Sequence, residues 1–163
     1  MAINKDKKKS ILEKLEKIFS EAKSVAFVNF HGLSVFGATE LRKALKVSQV
    51  GYFVAKKTLI RKALGGKKVA GELPALEGEI GIAWSDEVTA PAREVYAFAK
   101  KLGQGLALVG GIFEAKFLGK EGITAIAMIP DKKTLRAQFV NLINSPIQRL
   151  VIGLSEISKV KAK

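Results

Sequence analysis

The chain has 163 residues, enough for one domain or for one domain with an appendage. Nearly half of them (48%) are apolar, so a core can form, while 28 Lys and Arg against 15 Asp and Glu leave a net charge of +13. Cysteine is absent, which excludes disulfides and thiolate metal sites and fits a cytoplasmic protein.

No run approaches the roughly 18 apolar residues that span a bilayer. The charged start, Met1 to Ser10, is not expected to be a signal peptide, because no apolar core follows it. A charge excess of this size calls for a polyanionic partner, either nucleic acid or anionic membrane. Its distribution is uneven: residues 1–68 carry net +11, residues 69–128 net −3, and residues 129–163 net +5. A binding face gathers charge in this way.

In chain order, residues 4–22 are expected as a helix, with Ile11, Leu12, Leu15, Ile18 and Phe19 at helical spacing. Ser24–Phe30 reads as a buried strand. His31-Gly32-Leu33 turns the chain, and Ser34 caps a second helix to about Val47. Gly51–Ala55 is a second strand, and Lys56–Leu64 a short basic helix ended by Gly65-Gly66. A loop with Pro74 covers 67–78, followed by a strand over Glu79–Trp84. A helix over Thr89–Leu102 tolerates Pro91 in its first turn. Leu106–Phe113 is a fourth strand, with a bulge or close packing expected at Gly110-Gly111. A short helix near 120–127 stops before Pro130, and Asp131 caps the next, which runs to about Ile143. Asn144-Ser145-Pro146 is expected to break that helix, with Ser145 and Pro146 opening a last one to about Val160.

Strands alternating with helices predict a layered α/β N-terminal domain over 1–130, with a mixed sheet of about four to five strands. An extended C-terminal helical segment follows over 131–163.

The residues for catalysis are sparse. His31 is the sole histidine, which rules out a multi-histidine metal site, and beside a glycine in a turn it reads as a loop or core residue rather than a general base. The acids are scattered, and Asp86-Glu87 looks like a helix N-terminal signal. Gly65-Gly66-Lys67-Lys68 lacks the spacing of a phosphate-binding loop. No enzyme, cofactor or metal is expected.

The basic clusters say more. They are Lys5, Lys7, Lys8 and Lys9 near the start, then Arg42-Lys43, then Lys56, Lys57, Thr58, Arg61 and Lys62 after the second strand. On a helix Lys57 and Arg61 are neighbours, four residues apart. Such a cluster grips phosphates, with amide donors from the helix N-terminus; the alternative is a solvated charged face. At the other end Ile147, Leu150, Val151, Leu154, Ile157 and Val160 form an apolar stripe that Ile152 broadens. That stripe either packs on its own domain or docks a partner's helices.

The run from Phe30 to Leu64 resembles the bacterial large-subunit ribosomal stalk-base proteins, the family of ribosomal protein "L ten". That family shows a strand, a glycine turn, a helix with a Leu-Arg pair (here Leu41-Arg42), a strand, and a Lys-Asn-Thr-Leu box before a basic helix. The box here is Lys56-Lys57-Thr58-Leu59. Gly78, Gly110-Gly111-Ile112-Phe113-Glu114, Ile129-Pro130 and Ser145-Pro146 continue the likeness in order. Three places depart from it: Lys57 replaces the usual Asn, Glu79-Ile80 replaces Pro-Thr, and Glu114-Ala115-Lys116 lacks the glycine of Glu-Gly-Lys.

The resemblance implies a structural protein of the large ribosomal subunit in the cytoplasm. Its N-terminal domain would bind rRNA at the base of the lateral stalk, beside a neighbouring rRNA-binding ribosomal protein. Its C-terminal helix would anchor dimers of the acidic stalk protein, two by length, which recruit GTP-bound translation factors. A related ribosome-assembly factor at the same rRNA site is the alternative, and the apolar stripe argues against it. A membrane-surface helix over 4–22 is weakened by Glu13, Glu16 and Glu21.

Overall fold

Ser24–Asn29 (β1) is buried along nearly its whole length, as a strand covered on both faces must be. The computed structural model describes residues 5–65, 70, 74, 76, 78–102 and 105–161, without the side chains of Lys5, Leu102 and Val160. Two units emerge, Met1–Ile129 and Pro130–Lys163.

In the first unit β1 is the middle strand of five, in the order β2-β3-β1-β4-β5. The others are β2 (Gly51–Val54), β3 (Ile80–Ser85), β4 (Ala107–Phe113) and β5 (Lys116–Leu118). All named pairings are antiparallel. The mixed sheet expected from the sequence is thereby corrected; among the described residues its parallel part is one isolated bridge, Ala70 to Lys116. The helices in between do not force parallel strands here: β2 and β3 are neighbours on either side of α3 and still run antiparallel.

Alternation along β1 divides the core in two. Val25 and Phe27 meet Leu15 and Phe19 of α1 (Lys5–Glu21) and Ile60 of α3 (Lys57–Gly65). Ala26 and Val28 join Leu41 and Leu45 of α2 (Val35–Val47), Val95 of α4 (Ala90–Leu102) and Ile123 of α5 (Lys120–Ala127). The unit is therefore three layers deep, with two helices on one face of the sheet and three on the other.

Local signals behave as read. Ser34 caps α2 by accepting from the Gly37 amide at 3.1 Å. Pro91 falls in the first turn of α4. The β1–β4 register slips between Phe27 and Val28, leaving Val109 as a bulge beside Gly110. A Cβ on Gly111 would collide with the Val25 carbonyl and the Ile123 side chain, so both the bulge and the close approach are present. Gly66 and most of the 67–78 loop lie outside the described residues.

The second unit is one helix, α6 (Lys132–Lys161), opened by Asp131, whose carboxylate accepts from the Thr134 amide at 3.2 Å. It runs through Pro146 without a break. The expected stop at Asn144-Ser145-Pro146 is therefore wrong. Proline's fixed φ suits the interior of a helix as well as its first turn, and what it forfeits is one N–H bond and room for the ring, about 3 kcal/mol. Helix-forming sequence on both sides carries the remaining bonds.

Candidate functional site

The structure places the basic residues on two layers. Lys7, Lys8 and Lys9 are exposed on the first turns of α1, which packs against α3. Lys56, Lys57, Thr58, Arg61 and Lys62 are exposed at the head and along the outside of α3. These two groups share one layer. Arg42 and Lys43 are exposed on α2, across the sheet. Arg42 acts on the phenol of Tyr52 of the edge strand β2, which packs on the same side of the sheet as α2. The backbone of Lys5 begins α1, and its side chain lies outside the described residues.

Lys14 escaped the sequence reading. It lies seven residues after Lys7, two turns on along the same side of α1, and is exposed. The helical period contained that information.

Electrostatically, the head of α3 is unusual. A helix N-terminus is positive and normally carries an acid. Here the first turn has none, and Lys56 and Lys57 stand there instead. Among the described residues the ion pairs gather on Arg93, with Glu87 at 3.5 Å and Glu94 at 3.4 Å, and none involves these lysines. At the head of α3 the helix dipole therefore adds to the charge of lysines that make no ion pair among the described residues.

Along α6 the apolar side chains are exposed. Ile147, Leu150, Val151, Leu154 and Ile157 are all solvent-facing, and the Val160 side chain is outside the described residues. The stripe does not start at Ile147. Leu135, Phe139, Leu142 and Ile143 precede it along the helix, Ile143 one turn before Ile147 on the same face, with Phe139 64% exposed. The supposed break at Pro146 had hidden that continuity. At 1.5 Å per residue the helix is about 45 Å long, about twice the length of a segment starting at Pro146.

Residues 3–100 match the family described as "Ribosomal protein L10". A protein of Gluconobacter oxydans, "Large ribosomal subunit protein uL10", is 33% identical over 91% of this chain and 80% of its own length. One of the same name from Bacillus licheniformis is 32% identical, over 94% of this chain and 93% of its own. The chain belongs to the ribosomal protein L10 family. As a member of that family it is a structural protein of the large ribosomal subunit and not an enzyme. His31 agrees with that assignment: it is exposed in a turn, its amide donating to Asn29 Oδ1 at 2.9 Å. In this L10-family chain no described helix is long and apolar enough to cross a membrane.

Proposed function

We propose that this chain binds large-subunit rRNA at the base of the lateral stalk and anchors dimers of the acidic stalk protein on α6. The head of α3 carries the first half of this reading. Two lysines at the positive end of a helix, with no acid in the first turn, repel each other until an anion arrives. RNA phosphates supply it, and released counterions supply much of the binding free energy. Thr58 and Arg61 extend the grip along the helix, and Lys7, Lys8 and Lys9 on α1 widen it; Arg42 and Lys43 reach RNA passing the β2 edge. A neighbouring rRNA-binding ribosomal protein shares this region.

The exposed stripe of α6 supports the second half. Apolar side chains along about 45 Å are a strip for amphipathic partner helices. Two dimers of the acidic stalk protein fit it, and they in turn recruit GTP-bound translation factors. An assembly factor at the same rRNA site would have no use for such a strip.

The test is a salt titration of binding to a stalk-base rRNA fragment. The wild-type chain should show a steep fall of log affinity with log salt. The double variant Lys57→Gln, Arg61→Gln should bind more weakly, with the slope shallower by about 2. An unchanged affinity and slope would remove α3 from the RNA interface.

A further inference from the structure

A cleft of about 580 Å³ opens where the ends of β1 and β2 meet the head of α3 and the start of β3. Its lining is of two kinds. Ile11, Phe30 and Val54 are apolar, and Val54 is 40% exposed. Lys56, Lys57 and Glu79 are charged and exposed. Gly78, at φ +75, turns the chain into the cleft wall, where a Cβ would come within 2.9 Å of Asn29 Nδ2.

A phosphate does not belong inside this cleft. The apolar walls would strip its water, and Glu79 would repel it. An unstacked nucleobase fits both kinds of wall. Its faces can lie on the aliphatic side chains of Ile11 and Val54, its flanking phosphates can meet Lys56 and Lys57, and its edge can meet Glu79. A carboxylate offers only acceptors. Of the four bases, guanine alone presents two adjacent N–H donors, at N1 and N2, to match two carboxylate oxygens.

We infer that the cleft beside the head of α3 takes one unstacked guanine of the rRNA, held at its edge by Glu79. This rests on the rRNA reading above and goes beyond it, from a phosphate grip to recognition of a base.

The experiment uses the full chain and a stalk-base rRNA fragment in which each unpaired nucleotide is replaced in turn by an abasic one. One position, a guanosine in the intact RNA, should weaken binding about tenfold when its base is removed, with the salt slope unchanged. Inosine there, which lacks the N2 amine, should reproduce part of that loss. Glu79→Gln should weaken binding to the intact RNA and have little further effect on the inosine RNA, as partners in one contact do. Removing a negative charge would otherwise tighten binding to a polyanion, so the direction is diagnostic. Glu79 is exposed, and an unchanged Tm would show that the fold is intact. If every abasic RNA binds like the intact one, or Glu79→Gln tightens binding, no base occupies the cleft and the inference is overturned. If the wild-type chain shows no salt-dependent binding to the intact fragment, the rRNA reading itself falls and takes the inference with it.

Discussion

Ala115 adopts φ +59, and Glu114 before it φ +48, in the two-residue turn that joins β4 to β5. Both central residues of such a turn need the left-handed region, which Asn-Gly and Asp-Gly supply at little cost. An alanine there carries a penalty of about 1 kcal/mol or somewhat more. Ala115→Gly should stabilise the first unit by about 1 kcal/mol, read as a higher urea midpoint with unchanged slope. The same residue explains why β5 was not legible. With Glu-Ala in place of a glycine-bearing pair, the chain shows no hairpin signal after Phe113, and a three-residue strand is too short to show alternation. A second single-residue effect sits at Tyr52. Burial raises its phenol above the ordinary value of 10.0, with Arg42 pulling the other way. The folded state therefore holds this proton more tightly than the unfolded one. Stability is lost as pH climbs past the unfolded value of about 10 and through the folded one. Tyr52→Phe should reduce that alkaline loss, visible as a smaller drop in unfolding midpoint between neutral and strongly alkaline buffer.

Among the elements, strands and helices of the first unit were legible because each carries a pattern matching its layer. Leu15 and Phe19 repeat at helical spacing on α1, and β1 is apolar without alternation because both of its faces are covered. Strand direction was not legible, since the partners of the central strand β1 lie far away in sequence and nothing in a strand's own residues names its neighbour. In α6 the sequence misled. Pro146 and the Asx-Ser pair before it read as a stop and a fresh start, yet the helix absorbs one missing bond. If the stripe is continuous, its first half binds too. Phe139→Asp should therefore remove acidic stalk protein from the complex, counted by native mass spectrometry as one dimer fewer. Full occupancy in that variant would confine docking to the residues after Pro146.

For the molecule as a whole, the charge map was the clearest signal, because net charge needs no fold to be counted. It placed the excess in residues 1–68 but not on a surface. Folding separates Arg42 and Lys43 from the α1 and α3 lysines by the thickness of the sheet, and only the sheet order shows this. The candidate cleft was equally invisible, because Ile11, Phe30, Val54 and Glu79 come together only through strand pairing and the packing of α1 on the sheet. The division into Met1–Ile129 and Pro130–Lys163 separates the two proposed tasks. A chain truncated after Ile129 should keep its rRNA affinity and salt slope in filter binding, and lose all capture of the acidic stalk protein. Retained capture would assign that partner to the first unit.

The strip on α6 also bears on the life of the free chain. Eleven large apolar side chains along it are 42–70% exposed, a liability that soluble monomers rarely carry. On the proposed reading, a chain that has not yet met its partner offers the same apolar surface to other copies of itself. On that reading, an excess of this chain over the partner would favour self-association through α6. Matched synthesis of the two would then be a matter of solubility as much as of assembly.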